Sequence, residues 1–281
     1  YLDQLQLIAV DHPAKIDLFS NEKWKSPPYP EFRLFGTGRR VYPGKAISQG
    51  QDVLGAVRAR DQVYVDNFQR NFQNVAEMHA LELDFGSVAE DNRAFLVLNG
   101  WVDWADGSTF LAQEQAGKSL TPPYLQVRNA KGAWQTVIDD LGMPSGKTKT
   151  LAVDLTGNFL SASREVRIVT NMCVFWDEIF LGEDAAAPTM KLTPLPTLSA
   201  ALRYHGFSTS IIHPQRKKPE HFLYEPTTVL SYWNPTSGNY TRYGDVLALI
   251  QEPDDRLAIM GAADEVALEY DATAAPPLPK G

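Results

Sequence analysis

Apolar and polar residues alternate with a period of two through much of this chain, and that pattern restricts it to strands half-buried in sheets. His79-Ala80-Leu81-Glu82-Leu83-Asp84-Phe85 alternates most clearly. Phe95-Leu96-Val97-Leu98 is a short apolar run entering an Asn99-Gly100 turn. Leu125-Gln126-Val127 and Trp134-Gln135-Thr136-Val137 flank Asn129-Ala130-Lys131-Gly132, a hairpin signature with glycine available for positive φ. Leu151 to Leu155, Val166 to Val169 and Val174 to Leu181 continue the series. Short strands with regular turn signals predict an all-β fold, a jelly-roll-like sandwich with loop-rich connections. Only Gln51 to Arg60 and Asp245 to Gln251 suggest helix, each short.

Four short motifs recur in the same order, offset by about 170 to 195 residues. Asp3-Gln4-Leu5-Gln6-Leu7 resembles Asp177-Glu178-Ile179-Phe180-Leu181. Arg33-Leu34-Phe35-Gly36 parallels Arg203-Tyr204-His205-Gly206. Asp52-Val53-Leu54 parallels Asp245-Val246-Leu247, and Ala80-Leu81-Glu82-Leu83-Asp84 parallels Ala267-Leu268-Glu269-Tyr270-Asp271. An internal tandem repeat follows as an expectation. It divides the chain into 1–75, the end strand of a preceding repeat plus a connecting segment; 76–182, a complete sandwich; and 183–281, a second connecting segment and the start of a truncated sandwich. On this alignment residue 281 matches about residue 93. The strand at Ala267 to Asp271 would then lack its partners, so either more chain follows or a neighbour supplies the pairing. The chain lacks an initiator Met and opens in a strand-like run, so its start reads as a cut or processed end.

The 281 residues carry a net charge of −8, without the basic excess that phosphate neutralisation requires, which argues against nucleic acid as a partner. The dense basic run Arg216-Lys217-Lys218 reads as a solvated loop. No apolar run reaches the length of a membrane span. Cys173 is the sole cysteine, so no intrachain disulfide forms; it lies in an apolar strand, where a thiol is usually inert.

Trp101-Val102-Asp103-Trp104-Ala105-Asp106-Gly107-Ser108 is the most suggestive stretch. Asp103 and Asp106 on a glycine-containing loop are candidate oxygen ligands for calcium. Trp101 and Trp104 are candidate stacking platforms for a sugar ring. The plainer alternative is a strand end and an Asp-Gly turn, with the tryptophans in the core. In Phe175-Trp176-Asp177-Glu178, strand alternation pairs Trp176 with Glu178 on one face and Phe175 with Asp177 on the other, where Asp177 reads as a buried carboxylate locking the strand to a loop.

The remaining motifs fail on spacing. Ser145-Gly146-Lys147-Thr148 has the tail of a phosphate loop, but the glycine required five positions before Gly146 falls on Leu141, with Gly142 out of register. The histidines, His12, His79, His205, His213 and His221, form no zinc pair, and no nucleophile elbow occurs. No catalytic or metal residue is assigned from the sequence.

Leu7-Ile8-Ala9-Val10-Asp11-His12-Pro13, Lys25-Ser26-Pro27-Pro28, Asn99 to Phe110 and Thr170-Asn171-Met172-Cys173-Val174-Phe175-Trp176-Asp177 together resemble the C-terminal region of bacterial FG-GAP-repeat proteins with an ASPIC/UnbV domain, the cartilage-acidic-protein-like group. The resemblance covers most of the chain. It implies an exported, periplasmic or surface protein with a β-propeller upstream. The family's calcium motifs do not occur here, so no metal site transfers, and no functional residue is carried over. The expectation is a non-catalytic extracellular module for binding or assembly, partnered by other subunits or by further domains of the same protein. A carbohydrate-binding module is the alternative, and a hydrolase comes third. No cofactor is expected, with calcium at Asp103 and Asp106 the open alternative.

Overall fold

The computed structural model describes residues 1–86, 93–146, 148–184, 190–216, 219–229 and 236–275. Lys147, Lys217 and Lys218, named above in two of the candidate motifs, lie outside these residues. The first strands are β1 (Leu7–Asp11), β2 (Asp17–Ser20), β3 (Leu34–Thr37), β4 (Arg40–Val41), β5 (Lys45–Ser48), β6 (Gln51–Asp52), β7 (Arg70–Phe72), β8 (Val75–Asp84) and β9 (Arg93–Val102). One α-helix, α1 (Gly107–Gln115), separates them from β10 (Tyr124–Arg128), β11 (Trp134–Ile138), β12 (Lys149–Asp154), β13 (Glu165–Met172) and β14 (Val174–Asp184). The series ends with β15 (Lys191–Leu195), β16 (Thr197–Tyr204), β17 (Phe207–Ile212), β18 (Pro219–Thr228), β19 (Gly244–Asp245) and β20 (Asp264–Tyr270). The fold is all-β, as the alternation predicts.

The chain divides into two compact units, Pro13–Pro188 and Tyr1–His12 with Thr189–Gly281. The larger is a sandwich. One sheet has the order β11-β10-β13-β8-β5-β6, with β7 also on β8; the other has the order β12-β9-β14-β4. Their inner faces supply one core: Leu81, Leu83, Leu125, Val127, Val166 and Ile168 from the first sheet meet Leu96, Leu98, Leu151, Val153, Ile179 and Leu181 from the second. Every second residue points inward, so burial of these apolar side chains dictates the register, and a one-residue slip would expose them all. The segment read as a connection before residue 76 contributes strands to both sheets, and its β2–β3 hairpin packs against the outer face of the four-stranded sheet.

The smaller unit contains a sheet of order β19-β16-β20, the pair β1–β15 and the hairpin β17–β18. Ala200, Leu202, Val246, Ile250 and Ala258 form its core. The strand expected to lack partners is paired: β16 runs antiparallel to β20, with Leu202 opposite Val266 and Ala201 opposite Ala267. The alternation in Thr197 to Tyr204, unread in the sequence, supplies that partner.

Local geometry recurs between the units. Val53 and Val246 each precede a 3-10 turn, Leu54–Val57 and Leu247–Leu249, with φ/ψ of −120°/18° and −126°/14°. Asp52 and Asp245 each accept the amide two residues on at 2.9 Å. Val53 N–H donates to Ala46 and Val246 N–H to Ala200, and Ala46 and Ala200 stand opposite Leu83 and Leu268. Leu83 therefore matches Leu268, two residues away from the sequence alignment, which paired Leu81 with it. Arg33–Gly36 and Arg203–Gly206 do not correspond: the first lies in the β2–β3 hairpin, the second at the end of β16. The short turn Gln49-Gly50 after β5 is replaced after β16 by the β17–β18 hairpin, which is why a sequence alignment loses register there.

Candidate functional site

A cleft of about 370 Å³ opens on the outer face of the four-stranded sheet, lined by Leu18, Phe19, Ser20, Glu22, Arg40, Arg60, Val97, Asn99, Thr150 and Glu178. Thr150 on β12, Val97 and Asn99 on β9, Glu178 on β14 and Arg40 on β4 come from the sheet itself. Beside it, Phe35, Phe95, Val97, Ala152 and Phe180 pack with Phe19 and Tyr42. Farther along the sheet, Tyr64, Phe68, Trp101, Cys173 and Phe175 form a second outer-face cluster. The cleft is the polar interval on a face otherwise covered by aromatic residues.

A β-bulge brings Glu178 there. Trp176 is opposite Gly100 and Ile179 opposite Leu98, so Asp177 and Glu178 together oppose Asn99. The extra residue breaks the alternation. Trp176 points into the core with Ile179, while Glu178 faces outward, so the two do not share a face as strict period two predicts. Gly100 is required at the bulge because a Cβ there would lie 2.5 Å from the carbonyl oxygen of Phe175.

Three of the four charged groups in the cleft, Glu22, Arg40 and Glu178, are held by other groups of the protein. Glu178 Oε1 accepts from Tyr42 Oη at 2.6 Å and from Arg40 Nη1 at 3.1 Å. Arg40 Nε and Nη2 pair with Asp17 Oδ2 at 3.0 and 2.9 Å, and the guanidinium lies over the rings of Phe19 and Phe180. Burial, and then the hydrogen bond to Glu178, raises the Tyr42 hydroxyl above its usual pKa, so it stays a donor. Glu22 Oε2 accepts the Thr150 amide at 2.8 Å.

Asn99 is the exception. It is 3% exposed, and its Nδ2 donates to Thr150 Oγ1 at 3.1 Å, but its Oδ1 is buried without a hydrogen-bond partner among the described residues. An orphaned buried acceptor costs about 1–3 kcal/mol, so a ligand hydroxyl or N–H arriving there gains a bond at little further desolvation cost.

The residues singled out from the sequence lie elsewhere. Trp101 is buried and stacked on Phe175, ring centroids 4.3 Å apart and planes within 11°. Asp103 is buried, accepts the amides of Asn74 and Trp104, and is paired with Arg70 at 3.2 Å. Trp104 is half-buried beside it. Asp106 caps α1: its Oδ1 accepts the Thr109 amide at 3.0 Å while Thr109 Oγ1 accepts the Asp106 amide, a reciprocal capping box. The Asp106-Gly107 step thus starts a helix where a turn was expected. Among the described residues no three His, Cys, Asp or Glu side chains gather as a metal site. No helix among them is long and apolar enough to cross a membrane.

The cleft residues carried no sequence signal. Arg40, Asn99, Thr150 and Glu178 are scattered over the chain and joined by strand order, and Arg60 reaches them from the loop after the 3-10 turn Leu54–Val57. The chain matches no protein-family model, no curated protein and no solved structure. What the fold and site define is a class: an all-β sandwich with a charge-balanced polar cleft on its outer sheet face.

Proposed function

We propose that the chain is a non-catalytic binding module of an exported bacterial protein, with this cleft as its ligand site. The observation that carries the proposal is the buried, unpartnered Oδ1 of Asn99 in a cleft where Glu22, Arg40 and Glu178 are bonded within the protein. Of the buried acceptors without a hydrogen-bond partner among the described residues, on Asp11, Asn21, Asn67, Asn74 and Asn99, only that of Asn99 belongs to a residue lining the cleft, which makes it an attachment point for a ligand. Glu22 and Glu178 also supply the two carboxylates a hydrolase would need. Their fixed bonds to the Thr150 amide, Arg40 and Tyr42 support anchored acceptors over proton-transferring groups. The resemblance to FG-GAP-associated proteins supports an extracellular or periplasmic setting, with further domains of the same protein or other subunits as neighbours. The matched geometry around Asp52 and Asp245 supports an internal duplication of the strand-and-loop scaffold.

The test is spectral mapping. On titration with a library of small polar metabolites, side-chain resonances of Asn99, Arg40 and Arg60 should shift together. Shifts confined to the Trp104 loop, or turnover of any titrant, would overturn the proposal.

A further inference from the structure

We infer, taking the cleft as the ligand site, that its occupant is an uncharged saccharide. The first reason is charge. Two guanidiniums, Arg40 and Arg60, face two carboxylates, Glu22 and Glu178, across one small space. A phosphate or carboxylate ligand would meet both glutamates and the Asn99 oxygen, all acceptors. An ammonium ligand would meet both arginines. A neutral polyol offers hydroxyls that donate to Asn99 Oδ1 and accept from Arg60 while adding no net charge to the balanced set.

The second reason is the apolar lining. Leu18, Phe19 and Val97 share the cleft with these polar groups. A sugar ring presents C–H groups on its faces and hydroxyls on its rim, the same combination. The volume of about 370 Å³ sits near the lower end of the usual 300–1,000 Å³ for small-molecule sites, which fits a short saccharide.

The third reason comes from the smaller unit. The β1–β15 pairing places Leu7 opposite Leu195, as β14–β4 places Leu181 opposite Val41. By that correspondence Glu178 is matched by Gln4, Arg40 by Pro194 and, through the loops after the 3-10 turns, Arg60 by Pro253. Asp177 and Asp3 stand at matching positions, but Glu178, Arg40 and Arg60 have no charged counterparts. The strand-and-loop fold therefore forms without Glu178, Arg40 and Arg60, which leaves a ligand-binding role open to them in the larger unit.

Titration calorimetry on the whole chain tests this, with glucose, galactose, mannose, N-acetylglucosamine, maltose and cellobiose as neutral probes, and glucuronic acid, inorganic phosphate and ethanolamine as charged ones. At least one neutral sugar should bind. Asn99→Leu should weaken it about tenfold or more, since the acceptor is lost. Arg60→Met, at an exposed loop position, should weaken it similarly with an unchanged melting temperature, and Lys131→Ala on the distant hairpin turn should leave it unchanged. Binding of a charged probe alone, lost in the same variants, would overturn the saccharide and leave the cleft standing as a site. Sugar binding untouched by both variants would overturn the cleft as well. Absence of heat with every neutral probe would overturn the saccharide, leaving the cleft to the spectral mapping.

Discussion

Asp3 and Asp177 hold corresponding loops in the same way. Asp177 accepts the amides of Asp61 and Gln62, each at 3.3 Å, and Asp3 accepts the amide of Asp254 at 3.2 Å. Gln62 and Asp255 both have positive φ, 68° and 64°, and Asp61 and Asp254 each accept the amide two residues on. Trp176 and Leu2, the residues before the two aspartates, bridge to Val65 and Ala258, four residues beyond Asp61 and Asp254. In the larger unit this clamp positions the loop that carries Arg60 into the cleft.

Asp177 is 1% exposed, and Asp177→Ala leaves two amides without their acceptor. Urea denaturation should show a loss of about 1–3 kcal/mol. Asp3 is less buried and its bond is exposed, so Asp3→Ala should cost less. Equal losses would contradict the difference in burial.

Gly100→Ala should destabilise the larger unit by about 1–3 kcal/mol through overpacking, because the new Cβ meets backbone at the β9–β14 bulge. Gly50→Ala, where no atom lies within 4 Å, should be strained only through its φ of 75°. Thermal melts of the two variants separate steric from conformational cost: the Gly100 variant should fall further.

Arg70→Met removes the charge paired with Asp103, whose side chain is fully buried. The expected cost is about 1–3 kcal/mol, moderated by the two amides Asp103 still accepts. Because Asp103 and Asp106 are engaged within the protein, a chelator should leave the melting temperature unchanged; a drop on chelation would show that a bound cation contributes to stability.

His79 lies buried against Phe68, ring centroids 4.8 Å apart, and burial lowers its pKa below the usual 6.5. Below 6.5 the unfolded chain therefore binds more protons than the folded one. Stability should fall as pH drops through that value and level off once the folded imidazole also protonates. His79→Phe should flatten this slope in denaturation curves measured across the window. A wild-type stability independent of pH there would exclude the effect.

Strand existence was legible in the sequence because half-burial imposes a period of two that any local window shows. His79 to Phe85, Leu125 to Val137 and Val174 to Leu181 all became strands for that reason. Asp177 was legible as a buried clamp, because a carboxylate inside an apolar strand needs partners. The helix at Gly107 was not, because its hydrophobic face is weak and a cap resembles a turn until the next residues commit. The two-residue shift between Leu81 and Leu83 as the match of Leu268 was invisible because the connections after the 3-10 turns differ in length, 30 residues from Val53 to Leu83 against 22 from Val246 to Leu268, so no fixed offset holds. Trp101 illustrates the limit for sites: an aromatic next to acids reads alike on a surface or in a core, and only stacking on Phe175 decides.

The alternating pattern by itself determined that this chain is built of sheets, since each strand buries its own apolar side through local periodicity. The cleft was decided by tertiary structure alone. Arg40, Asn99, Thr150 and Glu178 meet because β12, β9, β14 and β4 are hydrogen-bonded in that order and because one bulge turns Glu178 outward. Strand order and bulge position follow from long-range burial of the whole core, which no short stretch of sequence contains.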